Sequence, residues 1–102
     1  MHETGTEAVE ISKGWAVYVV SCADGTYYTG MTTDVIRRVA EHNSGCGARY
    51  TRTRRPVSLL AFAPCEDRAE AMRLEVSLKS RSRRSKERFV REHALGQLEE
   101  HK

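Results

Sequence analysis

The chain opens with two short runs of β-branched and aromatic residues, and a turn signal separates them. Residues 15–21, WAVYVVS, and residues 26–31, TYYTGM, both have the composition of strands. Asp24-Gly25 stands between them, and this dipeptide is a strong short-range signal for a tight hairpin turn. The pattern therefore predicts an antiparallel hairpin at the start of the fold.

The apolar positions then take up a helical spacing. Thr32, Thr33 and Asp34 are candidates for the N-cap of this first helix. Its end is expected at about Asn43, because Gly45 follows shortly after and glycine commonly terminates helices. One apolar stripe is predicted along the helix, formed by Val35, Ile36, Val39 and Ala40.

The second half of the chain contains a third apolar run and two further helical patterns. Residues 48–56, ARYTRTRRP, place arginine among threonine, which does not build a core, and are predicted to form a loop. Residues 57–63, VSLLAFA, predict a third strand that is buried, or nearly buried, on both faces. Helices are expected over about 67–80 and about 85–95. The first of the two has a broad apolar face, formed by Ala69, Ala71, Met72, Leu74, Val76 and Leu78.

The predicted order of elements is β–β–α–β–α–α, which indicates an α/β (α+β) fold with helices packed against a short sheet. A length of 102 residues provides for one small core and one domain. We expect this domain to span residues 14–95, between a flexible N-terminal tail at 1–13 and a C-terminal tail at 96–102.

Composition narrows the class of protein. Hydrophobic residues make up 39 % and charged residues 30 %, which is typical of a folded soluble chain. No apolar run approaches the ~18 residues of a membrane span, and the acidic N-terminus lacks the apolar segment of a secretory signal. Cys22, Cys46 and Cys65 form no CxxC pair, which disfavours a zinc ribbon or a disulfide scaffold. We expect a cytoplasmic protein with reduced thiols and no membrane contact.

Charge is unevenly distributed along the chain. Residues 1–24 hold one basic and four acidic side chains, whereas residues 37–91 hold fifteen basic and six acidic ones. A concentration of this kind suits a surface that binds nucleic-acid phosphates, although a merely solvated surface can have the same composition. The candidate contacts are Arg49, Arg52, Arg54, Arg55, Lys79, Arg83, Arg84 and Lys86.

Five side chains suited to phosphodiester chemistry fall on the predicted hairpin and helices: Tyr18, Tyr28, Arg38, His42 and Glu75. Arg38 and His42 are four residues apart and share a helix face, where a guanidinium can grip a phosphate with two hydrogen bonds. Glu75 offers a hard carboxylate ligand for an ion such as Mg²⁺. Structural alternatives remain open: the tyrosines as half-buried strand residues, the helix face as a solvated one, and Glu75 as half of an i,i+4 ion pair.

These residues occur in an order and at a spacing that resembles the GIY-YIG nuclease family. The matching set is Ala16-Val17-Tyr18, Tyr28-Thr29-Gly30, Arg38, His42 and Glu75. The first motif lacks the glycine of the family pattern. The likeness spans about residues 14–91, and the chain looks most like the small stand-alone bacterial members of the family.

The resemblance implies a three-stranded antiparallel sheet flanked by helices, and phosphodiester cleavage with one divalent ion, Mg²⁺ or Mn²⁺. By position, Tyr28 looks like the general base and Tyr18 like its hydrogen-bonding partner. Arg38 looks like the group that holds the scissile phosphate, and His42 looks like an assisting residue. Glu75 looks like the metal ligand.

Two classes of function are therefore expected. The leading one is a small metal-dependent endonuclease that acts on DNA rather than RNA, damaged or branched DNA included, as in DNA repair. The alternative is a nucleic-acid-binding module, or an adaptor with little cleavage of its own that takes its specificity from a protein partner.

Overall fold

The fold is built on a sheet of three antiparallel strands, seen in a computed structural model that describes residues 13–94. The strands are β1 (Lys13–Ser21), β2 (Tyr27–Asp34) and β3 (Ser58–Pro64), in the order β2-β1-β3. β1 is central and pairs antiparallel with both neighbours. The predicted three-stranded sheet is confirmed. β1 begins at Lys13, the last residue of the predicted N-terminal tail.

The hairpin turn between β1 and β2 forms where the sequence predicts it. The Asp24 carboxylate accepts hydrogen bonds from the backbone N–H and the hydroxyl of Thr26, at 3.1 and 2.7 Å. Gly25 has a φ of 86°, a left-handed conformation that glycine adopts without steric cost. The carboxylate and the glycine together close the turn.

Within residues 13–94, four helices accompany the sheet. They are α1 (Val35–Ser44), α2 (Arg49–Arg52), α3 (Arg68–Lys79) and α4 (Arg83–His93). The longer three begin at side-chain caps, in which Asp34, Asp67 and Ser82 accept a hydrogen bond from the backbone N–H three residues further on. α1 ends at Gly45, whose φ of 90° is that of a glycine C-cap. These local signals place the α1 and α3 boundaries close to their predicted positions.

Two helices differ from the sequence-based expectation. The predicted loop 48–56 contains the short helix α2, because Thr51 turns inward and is fully buried there. α4 begins at Arg83 rather than at about 85, because Ser82 caps it and draws the first arginines into the helix.

The helix faces also differ in part. On α1, Val35 is buried, but Ile36 is 62 % exposed, and the position that completes the inner face is His42. On α3, Ala71 and Leu78 are buried while Val76 is 61 % exposed. The two predicted stripes were too broad, since a single sheet covers only part of each helix surface.

The core has two layers, one on each face of the sheet. Val17 and Val19 of β1 face α3 and α4, together with buried residues that include Leu78 and Phe89. The alternate residues of β1, Tyr18 among them, face α1. β3 was predicted to be buried, or nearly buried, on both faces, but it is an edge strand whose ends, Ser58 and Pro64, are exposed.

The predicted terminal tails fall almost entirely outside residues 13–94, which the structure describes. Within that range, no helix is long and apolar enough to cross a membrane.

Candidate active site

The hairpin places two of the candidate tyrosines side by side. In the β1–β2 register Tyr18 lies opposite Gly30, and Tyr28 lies opposite Val20. The tyrosines are therefore diagonal neighbours, and both belong to the layer that faces α1. Tyr18 is almost fully buried, whereas Tyr28 is half-buried and reaches solvent. The alternation predicted for β2, with Tyr28 and Gly30 on one face, is present in the structure.

His42 projects from α1 into the space beside both tyrosines. Its Nε2 lies 2.7 Å from the Tyr18 hydroxyl oxygen, and the Tyr28 ring meets the imidazole edge-on with centroids 5.3 Å apart. His42 is fully buried. Because its partners are a phenol and a hydroxyl rather than a carboxylate, this histidine is suited to the neutral form.

Burial determines the charge of this group. It lowers the pKa of His42, with a further contribution from the positive charge of Arg38, while Glu41 opposes the shift. Burial also raises the pKa of Tyr18 to about 12, a shift that the contact with Arg38 partly opposes. Near neutral pH the centre of the site therefore holds an uncharged imidazole and a protonated Tyr18.

Arg38 lies one helical turn before His42 and is the cation of the site. Its Nη1 donates to Glu41 Oε1 at 2.9 Å, and its guanidinium contacts the Tyr18 hydroxyl. The hydrogen bond to Glu41 is the main reason that the pKa of Arg38 is raised. The side chain of Arg37 is 62 % exposed and lies toward Asp34 and Glu41, so Arg38 alone of the two arginines faces the tyrosines.

Glu75 reaches the same region from α3. Its carboxylate pairs with Lys79 Nζ at 3.4 Å, and the Glu75 side chain is 19 % exposed. Lys79 Nζ in turn lies 5.9 Å from the centroid of the Tyr28 ring. The negative charge of Glu75 is also one of the smaller causes of the raised pKa of Tyr18. Tyr18, Tyr28, Arg38 and His42 are thus brought together, whereas Glu75 lies on α3, which packs on the opposite face of the sheet, and is connected to Tyr28 through Lys79.

Glu75 fits a hydrated divalent ion. The residues that the structure describes contain no group of three or more histidine, cysteine or acidic side chains that could hold a metal. A single, partly exposed carboxylate matches the way Mg²⁺ binds, with one carboxylate, several waters and substrate oxygens. Lys79 would have to share or release that carboxylate when an ion binds.

The predicted basic contacts lie in two groups that meet at the hairpin turn. In the first group, Arg54 donates to Asp24 Oδ2 at 3.0 Å and stacks over a tyrosine ring. In the second, Arg83 donates to the Gly25 carbonyl at 3.3 Å and stacks over Tyr27. The remaining members are exposed or partly exposed: Arg49, Arg52, Arg55, Lys79, Arg84 and Lys86. The side chains of Arg54 and Arg83 are already engaged within the protein.

An open hollow lies beside the first group of arginines. Its volume is about 600 Å³, and its lining includes Arg52, Arg55 and Asn43. Arg55 is held there by hydrogen bonds from Nε to the Arg52 carbonyl and from Nη1 to the Asn43 carbonyl, at 3.0 and 3.4 Å. The hollow presents fixed positive charge close to the end of α1.

Two residues of α2 touch the site and were not predicted. The Tyr50 ring stacks on Tyr28 with centroids 5.9 Å apart and planes at 22°, and Arg54 covers Tyr50 at 3.8 Å. Thr51 Oγ1 lies 2.7 Å from His42 Nδ1. Neither residue belongs to an apolar period or to a motif, so the sequence contains no local signal for either contact.

Comparison with known proteins gives a consistent family assignment. A GIY-YIG catalytic domain matches residues 14–88. A UPF0213 protein from Desulfotalea psychrophila is 51 % identical over 83 residues, which cover 80 % of this chain and 76 % of that protein. A UPF0213 protein from Halobacterium salinarum is 59 % identical over 71 residues, covering 70 % of this chain and 92 % of its own.

Solved structures show the same fold. A protein from E. faecalis, with a solution NMR structure, is 41 % identical and superposes with a TM-score of 0.55, covering 78 % of this chain and 84 % of that one. The solution NMR structure of a UPF0213 protein from Bacillus halodurans is 50 % identical, with a TM-score of 0.50, and covers 74 % of this chain and 81 % of its own.

Proposed function

This chain belongs to the GIY-YIG catalytic domain family, and from that premise we propose that it is a metal-dependent endonuclease that hydrolyses phosphodiester bonds in DNA, damaged or branched DNA included. The observation that supports the proposal is the group formed by Tyr28, Arg38 and His42 around the buried hydroxyl of Tyr18, with Glu75 connected to Tyr28 through Lys79. A phenol, a guanidinium, an imidazole and a carboxylate in one place provide for proton transfer, phosphate binding and metal binding.

Tyr28 is the proposed general base. Of the two tyrosines it is the one that reaches solvent, where an attacking water can approach. Tyr18 is unsuited to the task, because burial raises its pKa to about 12 and keeps its proton in place. Its role in the proposal is to hold Tyr28 through the shared layer on the sheet.

Arg38 is the residue that we propose binds the scissile phosphate. The Arg38 side chain is 32 % exposed and interacts with Glu41 and Tyr18, so part of its guanidinium remains open to a ligand. His42 assists by anchoring Tyr18 from the interior. Arg38 serves bound substrate and transition state alike, so its loss should weaken both binding and cleavage.

Glu75 is the residue that would hold Mg²⁺ or Mn²⁺. A divalent ion bound there would supply charge neutralisation for the phosphate during hydrolysis. The chain itself contributes the partly buried carboxylate and the neighbouring Lys79, which orients that carboxylate before an ion binds.

DNA would reach the site over the two basic groups at the hairpin turn. The exposed arginines Arg52 and Arg55 line the hollow. Arg49 adds an exposed positive charge on α2, and Arg84 with Lys86 would extend the positive surface in the second group. These contacts provide affinity without reading sequence, since phosphate contacts are the same along any strand.

The decisive experiment replaces Glu75 and compares cleavage with binding. We expect Glu75→Ala to abolish cleavage of a DNA panel in Mg²⁺ or Mn²⁺ while affinity, measured by fluorescence anisotropy with chelator present, stays near that of the wild type. Glu70→Gln is the matched control on the same helix, since the amide oxygen can still accept from the Glu66 N–H. Cleavage that survives excess chelator, or an active Glu75→Ala protein, would refute the proposal.

A second candidate function has one observation in its favour. Lys79 already neutralises Glu75 at 3.4 Å, which would suit a nucleic-acid-binding module without a resident ion. In that case the wild-type protein would still bind DNA in a salt-dependent way, through the same basic side chains. It would not cleave any substrate of the panel in Mg²⁺ or Mn²⁺. Turnover that depends on Glu75 excludes this alternative.

A further inference from the structure

Both ring nitrogens of His42 are engaged inside the protein. Nε2 faces the Tyr18 hydroxyl and Nδ1 faces Thr51 Oγ1, each at 2.7 Å. The three residues are almost completely buried, with exposed fractions of 1 % for Tyr18 and 0 % for His42 and Thr51. They form a continuous chain of hydrogen bonds that runs from α2 to the centre of the candidate site.

The direction of this chain follows from the carbonyl at its end. Thr51 Oγ1 lies 3.0 Å from the Ala48 carbonyl oxygen, which can only accept, so the hydroxyl proton of Thr51 is donated there. The Thr51 oxygen can then accept from His42 Nδ1–H. A competing contact, from the Ala48 N–H to Nδ1, is longer at 3.4 Å.

With the proton on Nδ1, the neutral imidazole has its lone pair on Nε2. Nε2 therefore accepts from the Tyr18 hydroxyl, whose own proton is directed into the protein. The Tyr18 oxygen keeps its lone pairs for donors on the other side, where Arg38 and Tyr28 lie. A histidine with the opposite tautomer would turn the Tyr18 proton toward the site.

We propose that Thr51 is a positioning residue that fixes the tautomer of His42, and through it the direction of the Tyr18 hydroxyl. The role of this arrangement in cleavage rests on the proposed nuclease function, whereas the tautomer itself does not. The logic matches that of other sites in which a third group orients a histidine toward a hydroxyl.

The backbone around His42 supports a position that is closely fixed. A Cβ atom placed on Gly47 would meet the His42 Cα at 2.8 Å and Cγ at 2.9 Å, so the segment between α1 and α2 closes directly over the imidazole. Thr51, in the helix α2 that follows this segment, contacts Nδ1 of His42. The ring is thus covered by the backbone at Gly47 and held between Tyr18 and Thr51.

The first test is made on wild-type protein and needs no activity. Two-bond ¹H–¹⁵N correlation spectra of the imidazole identify which nitrogen carries the proton, with the His42 signals assigned by their loss in His42→Gln. We expect the Nδ1–H tautomer near pH 7.5. A spectrum that shows the Nε2–H tautomer, or rapid exchange between both, overturns the proposal.

The second test uses Thr51→Val, which keeps the β-branched shape and removes the hydroxyl. We expect a shift of His42 toward Nε2–H and a fall in kcat of about 10- to 100-fold with KM changed less than twofold, as for other groups that orient a histidine. Thr51→Ser should restore the tautomer and most of kcat. An unchanged tautomer in Thr51→Val, or a serine variant that behaves like valine, contradicts the proposal.

The two tests separate this inference from the nuclease proposal. If the wild type does not cleave DNA, the nuclease function fails, yet the spectra of wild type, Thr51→Val and Thr51→Ser still decide whether Thr51 sets the tautomer. If the valine variant does not fold, Thr51→Ala, which also removes the hydroxyl, is compared with Thr51→Ser and decides the same point.

Discussion

The phenolic oxygen of Tyr18 lies across Gly30, so close that a Cβ atom on Gly30 would approach it to 2.5 Å. The two residues are direct partners in the β1–β2 register. Glycine is needed here for space rather than for backbone conformation. It lets the Tyr18 ring lie along the sheet and bring its hydroxyl to His42.

Gly30→Ala is therefore expected to displace Tyr18. The added methyl group overpacks a closed site, which typically costs about 1–3 kcal/mol of folding free energy. Urea unfolding should show that loss, and the imidazole signals of His42 should move as the Tyr18 contact changes. Thr33→Ala, at an exposed position of the same strand, is the control and should alter neither quantity. Unchanged His42 signals in Gly30→Ala would contradict the predicted displacement.

The sequence predicts the elements whose signals are local. The turn at Asp24-Gly25, the caps at Asp34 and Asp67, and the end of α1 at Gly45 each involve residues within a few positions of one another. α2 is different, because its helical state depends on the burial of Thr51 against His42, which lies nine residues earlier. A four-residue helix contains too few positions to show a period.

Removal of the Tyr28 hydroxyl should remove the base and little else. Tyr28→Phe keeps the ring that stacks on Tyr50 and meets His42 edge-on. We expect cleavage to fall by about 10²–10⁴, the usual contribution of a positioned general base, with DNA affinity unchanged. Single-turnover kinetics and anisotropy measure the two effects.

Tyr27→Phe is the matched control for this change. Tyr27 is the preceding residue of β2 but faces the other layer, beneath the Arg83 guanidinium, and the same single oxygen is removed. Its cleavage rate should stay within about twofold of the wild type. If both variants cleave like wild type, Tyr28 is not the base.

The exposed arginines should determine the salt dependence of DNA binding. Arg49→Ala and Arg52→Ala should each reduce the slope of log K against log salt by roughly one, as expected for one lost phosphate contact. Folding stability should not change, because both side chains are exposed. Titrations at several salt concentrations check this, and slopes equal to that of the wild type would remove α2 from the DNA surface.

Arg54→Ala is the informative contrast within the same segment. Arg54 donates to Asp24 Oδ2 and to the Tyr50 carbonyl, at 3.0 and 2.8 Å, and covers the Tyr50 ring. Its removal should lower the melting temperature more than Arg49→Ala does, with a smaller effect on the salt slope. The opposite ranking would mean that Arg54 acts mainly on DNA.

The sequence predicts which neighbouring residues of the candidate site share a strand face or a helix face. It does not predict how residues from different elements come together. Strand alternation put Tyr28 and Gly30 on one face, and helix spacing put Arg38 beside His42. No sequence pattern relates the position of Glu75 to these residues, because that position depends on how α3 packs on the sheet. The burial of His42 in the core could not be predicted from the sequence either, because a histidine interrupts the apolar pattern of the helix instead of extending it.

The free energy of unfolding should decrease at low pH because of His42 and at high pH because of Tyr18. We call these two decreases the acid limb and the alkaline limb. The folded pKa of His42 lies below its ordinary value of about 6.5, mainly through burial, so the unfolded chain binds the extra proton first. Stability is then full above about pH 6.5 and falls as the pH drops through the folded pKa. For Tyr18, whose pKa rises from 10.0 to about 12, stability is full below about pH 10 and is lost between about pH 10 and 12.

Urea unfolding from pH 5 to 7 and from pH 9 to 12 measures the two limbs. Two variants, His42→Gln and Tyr18→Phe, serve as controls for each other. His42→Gln should flatten the acid limb and keep the alkaline one. Tyr18→Phe should do the reverse, because the charges that act on His42 are those of Arg38 and Glu41 and remain in that variant. Each limb reflects the burial of one of the two residues that meet at 2.7 Å. An acid limb that persists in His42→Gln would mean that other groups, and not this imidazole, take up the proton on unfolding.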